Sequence, residues 1–260
     1  MKNNELFEKA KIIRRDCVTQ TANTKASHVG SMLSSADILA YLFYEEMQVG
    51  DRFILSKGHA SLALYSILCD KNLISKGDLC TYYRNGSTLI GHLNYKVPGV
   101  EISTGSLGHG LPIAAGMTLA NKINDKNEKV YCLVGDGECQ EGSIWEALIF
   151  ASNHNLKNLV ILVDANKLQG YDFCEEIFSE KYLVDMLKST GNNFYEIDGH
   201  NFDEIRNTFS KIKKDKNCKA SIIFCHTVKG KGVSFMENKL EWHYKSANEE
   251  QLNCALSELK

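Results

Sequence analysis

The sequence predicts one doubly wound α/β domain, a mostly parallel sheet flanked by helices, and three observations lead there. Short apolar, β-prone runs occur at Lys129 to Val134, Leu159 to Val163, Phe194 to Ile197 and Ser221 to Cys225. Between them the apolar residues recur at helical spacing, so that Lys129 to Val163 reads as strand, helix, strand, the βαβ unit of a parallel sheet. The runs are continuously apolar rather than alternating, as expected of strands buried on both faces. With 260 residues, only two prolines and no Ser/Gly linker, low-complexity tract or repeat, no domain boundary suggests itself, and residues 1–260 are expected to form a single domain.

Taken in order, the first quarter reads helical. Leu6 and Ile13 with their apolar neighbours mark a first helix. Ser34 and Ser35 are placed to cap a second helix through Asp37, Ile38, Leu39 and Leu42. A third follows His59 through Leu62, Leu64, Tyr65 and Leu68, and Gly105 to Ile123 opens glycine-rich and continues as a small-residue helix through Ala114, Ala115, Gly116 and Ala120. A helix through Trp145, Leu148 and Ile149 joins the two central strands. Asn201 with Glu204 suggests a capping box for a helix through Ile205, Phe209 and Ile212, and Leu252, Ala255 and Leu256 suggest a short terminal helix.

Composition excludes several classes. At 43% hydrophobic and 24% charged residues the chain is of ordinary globular composition, which argues against disorder and fibrous repeats. The formal net charge is -2 with Lys and Arg scattered, so neither nucleic acid nor an anionic membrane is an expected partner. Nine cysteines, an odd number without a CxxC pair, two of them (Cys132 and Cys225) inside apolar runs, read as reduced thiols in a reducing compartment. The mixed-charge start lacks a signal-peptide core, and no window approaches the ~18 apolar residues of a membrane helix. A soluble, cytoplasmic protein is the expectation.

In an open parallel sheet, ligands collect beyond the carboxyl ends of the strands. Two strand ends here carry oxygen ligands: Asp136, between Gly135 and Gly137, and Asn166, after Val163-Asp164-Ala165. A right-handed crossover puts both on one edge of the sheet, and neighbouring strands lie roughly 5 Å apart, so one ion can touch both loops. Magnesium takes one or two oxygens from protein and completes its octahedron with phosphate and water. Glycines beside Asp136 let a diphosphate approach the backbone, with the N–H groups of a helix opening at about Ser143 nearby. A lone Gly-Asp-Gly is most often only a turn, and a lone histidine an ordinary polar residue; His154, His200 and His226 are left as such.

The combination is more specific. GDGECQEGSIWEA (135–147), followed by NLVILVDANKLQG (158–170), resembles the thiamine diphosphate motif, with Asn166 thirty residues after Asp136. Its Glu-Gly, Trp-Glu-Ala and Asp-x-Asn-x-x-Gln words resemble transketolase. Ser27–Ser31, Leu55–His59, Gly91-His92, Ser103–Gly110 and Trp242-His243 follow in the family's order, so the likeness runs from about residue 5 to about residue 245.

The resemblance implies thiamine diphosphate held through Mg2+ (or another divalent ion such as Ca2+ or Mn2+), with Asp136, Asn166 and the carbonyl of Leu168 as metal ligands. It places His59, Gly105, Leu107, Gly135 and Gly137 with the cofactor. Glu141 matches a glutamate that meets its counterpart across a subunit interface and relays protons, a role in which paired carboxylates raise one another's pKa. His28 and His243 would bind the acceptor sugar or move protons, and His92 would meet the donor's hydroxyls, a task suited to imidazole near neutral pH. Two positions depart from the pattern: His109 stands where many full-length transketolases have glutamine, and Tyr244 follows His243 where glycine is common. The pyrimidine-binding domain is missing, and since the cofactor must be held at both ends, a partner chain carrying that domain is expected, in an α2β2 assembly acting on sugar phosphates. The alternatives are a specialised two-chain enzyme for an unusual sugar, the α subunit of a 2-oxoacid dehydrogenase, and a non-catalytic cofactor-binding module. A nicotinamide-binding fold is disfavoured because no GxGxxG follows a strand.

Overall fold

The computed structural model describes residues 1–260. Five strands, β1 (Arg52–Leu55), β2 (Val130–Gly135), β3 (Leu159–Ala165), β4 (Asn193–Asp198) and β5 (Ser221–His226), pair in the order β1-β2-β3-β5-β4. Every pairing is parallel, with Gly135 opposite Asp164 and Ala165 opposite His226, so the carboxyl ends of the three central strands finish side by side. The four predicted strands are present. The edge strand β1 carries no such signal: four residues, the first of them exposed, are too few to set up a pattern.

Side chains of a strand alternate between faces, and the two cores follow that alternation. Tyr131, Leu133, Val160, Leu162, Ile223 and Cys225 pack into one core with the helices Asn3–Thr24, Ala36–Tyr41, Ser61–Asp70 and Phe202–Lys214. Val130, Cys132, Val134, Ile161, Val163 and Phe224 pack into the other with Gly110–Ile123, Gly142–Asn153 and Glu180–Ser189. The sheet is covered on both faces, which makes the fold doubly wound. Each fully buried Leu or Ile contributes roughly 1.5–3 kcal/mol, and truncating central Leu162 to Ala would cost about 2–5 kcal/mol.

Two capping expectations need correction. Ser34 and Ser35 do not cap a helix. They sit where the short helix Val29–Ser34 meets Ala36–Tyr41, and their hydroxyls bond to Ser31 O and Met32 O, while Ser34 Oγ also donates to Asp164 (2.7 Å). Ser34 Oγ also accepts from Asn166 Nδ2 (3.3 Å), so its lone pairs are turned to the strand ends, and neither hydroxyl accepts from a helix N–H. Asn201 does cap Phe202–Lys214, accepting from Asp203 N and Glu204 N, but Glu204 reaches back to Asp198 N (2.9 Å), so the capping box is not closed. The terminal helix is present as Glu249–Glu258. No helix is long and apolar enough to cross a membrane.

Candidate active site

Chain segments leaving β1, β2, β3 and β5 converge at the carboxyl edge of the sheet around a cleft of about 240 Å³. β1 runs into Ser56–His59, β2 into Asp136, β3 into Asn166–Gly170, and β5 into Thr227–Lys229. His28, His59, His92 and His243 all line the cleft, together with Gly105, Leu107, Gly135, Asp136, Gly137, Asn166 and Leu168. The sequence-predicted site is therefore brought together except for Glu141, and His109, to which the sequence assigns no role, is also outside. Glu141 lies outside the cleft, exposed, as the residue preceding helix Gly142–Asn153, and His109 is exposed at the start of Gly110–Ile123.

Asp136 and Asn166 follow the adjacent parallel strands β2 and β3 into the same cleft. Asp136 accepts from Gly137 N (2.8 Å) and Lys167 N (2.6 Å), but no cation pairs with it. Burial, reinforced by the charge of Asp164, pushes its carboxyl up to about 6. Asn166 is oriented by its own amide, whose Nδ2 donates to Ser34 Oγ and Asp164 Oδ2 (both 3.3 Å), while Oδ1 accepts from Leu168 N (3.2 Å). No group of three or more His, Cys, Asp or Glu side chains is arranged to hold a metal alone. A hard divalent ion here would need the Asn166 amide oxygen, the Leu168 carbonyl and non-protein oxygens to complete its shell, the ligand set magnesium accepts.

The histidines form one cluster, with ring centroids 5.0 Å apart for His28 and His243, 5.4 Å for His28 and His59, and 5.7 Å for His28 and His92. His28 holds a left-handed backbone conformation (φ 71°), and its N–H donates to His243 O (2.7 Å), which ties the two backbones together. A non-glycine residue at positive φ is uncommon, and here the hydrogen bond to the opposite wall fixes it. Burial, then the neighbouring imidazoles and lysines, lowers His28 to about 4 and His243 to about 3 and lowers His59, while burial alone lowers His92. The cleft thus presents neutral imidazoles in a positive field.

Four buried polar residues organise the cleft, and none of them has a role assigned from the sequence. Lys57 (1% exposed) pairs with Asp164 and donates to Ser31 O (3.0 Å). Burial raises the Asp164 carboxyl, but Lys57 and the hydroxyls of Thr227 and Ser34 outweigh it and hold the group below the usual range. Lys229, wholly buried, donates to Leu168 O (2.9 Å) and bonds to His243 Nδ1 (2.8 Å). A lysine ammonium only donates, so His243 Nδ1 accepts and Nε2 carries the proton. Burial and Lys57 lower Lys229 to about 8. Glu138 accepts from Gly135 N (3.1 Å), Gly108 N (2.9 Å) and Ser56 Oγ (2.5 Å), which fastens the exits of β1 and β2 to the Ser103–Gly110 loop. Lys57 and Glu138 lie inside the motif words, which is the signal that could have found them; the Val-Lys-Gly-Lys-Gly run around Lys229 gives none.

The residues fit a diphosphate and its metal. A buried carboxylate without a cation, a buried Gln169 Nε2 without a partner, and a lysine (Lys229) and histidines lowered chiefly by burial all lack what an anion–metal pair would provide. At Gly137 a Cβ would stand 3.0 Å from Gln169 Cγ, so the backbone is bare where the strand meets the cleft.

Comparison with known proteins agrees. Residues 4–259 match the family model described as transketolase, thiamine diphosphate binding domain. The chain is 38% identical to one of the subunits of the apulose-4-phosphate transketolase of Actinobacillus succinogenes, over 99% of this chain and 96% of that protein. It is 36% identical to the 6-deoxy-6-sulfo-D-fructose transketolase subunit SqwG of a Clostridium species, over 98% of this chain and 96% of that protein. The transketolase of Campylobacter jejuni superposes with a TM-score of 0.94 at 30% identity, over all of this chain but only 43% of that one. These findings favour transketolase over the 2-oxoacid dehydrogenase alternative. The chain belongs to the transketolase family, as a thiamine diphosphate binding domain of the kind found in transketolase subunits.

Proposed function

We propose that this chain is the diphosphate-binding subunit of a split transketolase, which transfers a two-carbon ketol unit from a ketose phosphate to an aldose acceptor once its partner supplies the pyrimidine-binding domain. The observation that carries the proposal is the meeting of four motif histidines with Asp136, Asn166 and Leu168 in one cleft at the carboxyl edge of the sheet. Asp136, Asn166 and the Leu168 carbonyl would hold Mg2+, and His59, Gly105, Leu107, Gly135 and Gly137 would line the diphosphate. When bound, thiamine diphosphate supplies the carbanion-stabilising centre.

The chain's own residues would orient the sugars and move protons. Lys229 sets the imidazole of His243 with Nε2–H toward the cleft side of the ring, ready to donate to a sugar oxygen. His28, neutral and tied to His243 through the backbone, would accept the acceptor's proton, and His92, 5.7 Å from His28 across the same cleft, would meet the donor hydroxyls. Glu141, exposed beside Gly108, is free to meet a carboxylate of another protomer in an α2β2 assembly.

The test is ketol transfer from xylulose 5-phosphate to ribose 5-phosphate with thiamine diphosphate and Mg2+, measured for the chain alone and with a candidate pyrimidine-domain chain. The expected result is turnover only in the mixture, abolished by Asp136→Ala; full activity of the lone chain would overturn the split assignment. A second reading, an unusual sugar pair, is favoured by the names of the 38% and 36% identical relatives, which specify apulose-4-phosphate and 6-deoxy-6-sulfo-D-fructose. Metal-dependent cofactor binding by the mixture without transfer between the common sugars would select it.

A further inference from the structure

We propose that Tyr244 is the residue that sets sugar-chain length at this site, walling the cleft beside His28 and His243 so that short aldehyde acceptors are taken in preference to extended ones. The proposal rests on the cleft being a ketol-transfer site and adds the substrate class. Tyr244 lines the cleft, with its ring centroid 4.6 Å from His243 and 6.1 Å from His28, so the phenol covers the flank of both imidazoles.

Two contacts fix the ring there. His243 packs against it at an interplanar angle of 60°. On the other side lies Gly170, where an added Cβ would stand 2.7 Å from the Tyr244 hydroxyl. The bare backbone at 170 is what admits the phenol, and the two positions act as a pair. Tyr171, 83% exposed, also lines the cleft and follows Gly170 directly, so a chain extending past the histidines meets a second phenol. The two lysines of this cleft are buried and already engaged, Lys57 with Asp164 and Lys229 with Leu168 O and His243, so the wall that Tyr244 and Tyr171 form offers aromatic surface and hydroxyls but no side-chain charge of its own to draw a distal phosphate past it.

The experiment uses the chain assembled with its pyrimidine-domain partner and loaded with cofactor. It compares kcat/KM for glyceraldehyde 3-phosphate and ribose 5-phosphate in wild type, Tyr244→Gly and Tyr244→Phe. Removing a wall from a pocket changes discrimination by about 10-fold or more, so Tyr244→Gly is expected to shift the ratio about tenfold toward ribose 5-phosphate. Tyr244→Phe, which keeps the ring, is expected to keep the wild-type ratio. An unchanged ratio in Tyr244→Gly overturns the proposal. A second measurement needs no turnover: calorimetry with glycerol 3-phosphate and ribitol 5-phosphate, which lack the reactive carbonyl. Wild type should prefer the three-carbon ligand and Tyr244→Gly should lose that preference. If the preference shifts while no sugar is turned over, with apulose-4-phosphate and 6-deoxy-6-sulfo-D-fructose included among the donors, the length filter stands and the ketol-transfer reading fails. If neither alditol phosphate binds, the filter is overturned and cofactor binding is untouched by the result.

Discussion

Asp37 and Asp136 are both buried aspartates, 2% and 8% exposed, and their surroundings are opposite in kind. Asp37 is complete. Arg14 grips it with two hydrogen bonds (3.0 and 2.5 Å) and His200 Nδ1 lies 2.6 Å away. Burial raises its carboxyl, but Arg14 and His200 outweigh that and hold it below the usual range. His200 then accepts from Val228 N (2.9 Å), tying the helical layer to the loop that carries Lys229. Asp136 has only two backbone N–H donors, and burial with the nearby Asp164 pushes it the other way. A buried charge with all its partners holds a fold together, whereas one lacking a cation marks where a ligand belongs.

Exchanging the charges should separate these roles. The largest effect is expected of Asp136→Ala: a loss of at least about 100-fold in ketol transfer and of metal-dependent cofactor binding, with the unfolding midpoint in urea nearly unchanged. Calorimetry and assay of the assembled enzyme check the first part, and urea titration of the lone chain checks the second. A variant that unfolds would remove the distinction between the two aspartates. Arg14→Met should do the reverse. It leaves Asp37 buried without its main partner and should cost about 3–5 kcal/mol of stability, while the folded fraction keeps its cofactor affinity.

Lys229→Met should fall between them. Its ammonium holds the Leu168 carbonyl and sets the His243 tautomer, and loss of such a supporting partner typically weakens metal or cofactor binding by about 10–100-fold. An unchanged Kd for thiamine diphosphate in the assembled enzyme would show that Asn166 and its loop are positioned without it.

The same contrast explains what could be seen in the sequence. The strands β2, β3 and β5 are legible because burial on both faces forces unbroken apolar runs, while edge strand β4, with only Ile197 buried, shows through its β-prone residues; the cleft is legible because His59, Asp136 and Asn166 stand in motif words that follow strand ends. The remainder depends on tertiary partners. Ser34 looks like a cap because nothing local says that Asp164 lies 2.7 Å from its hydroxyl. Glu204 looks like half of a capping box until the backbone of Asp198 draws it away. Lys229 gives no signal, since an isolated lysine is normally solvated and only the fold reveals that this one is wholly buried. β1 is a strand because β2 offers it an edge, not because four residues insist on it.

The smallest expected effect is a pH dependence that belongs to the ligand-free cleft. His28 and His243 are lowered to about 4 and about 3 from an ordinary 6.5, chiefly by burial. Between those values the unfolded chain binds more protons than the folded one, so the histidines' contribution is present above about pH 6.5 and is lost as pH falls toward 4. Asp136 works against this in part of the window: its carboxyl is raised to about 6, so the folded state gains its proton first. The measurement is therefore a difference, the Tm of wild type minus that of His243→Asn. The asparagine keeps an acceptor for Lys229 while removing the titrating ring. That difference should shift by about 2–4 °C against wild type as the pH is lowered from about 7 to about 5. Saturating thiamine diphosphate and Mg2+ should shrink it, because a bound diphosphate favours the protonated imidazoles and brings their folded pKa values back toward the unfolded ones. A difference that ignores pH would mean that His243 is not held neutral by the cleft, and that Lys229 does not set its tautomer.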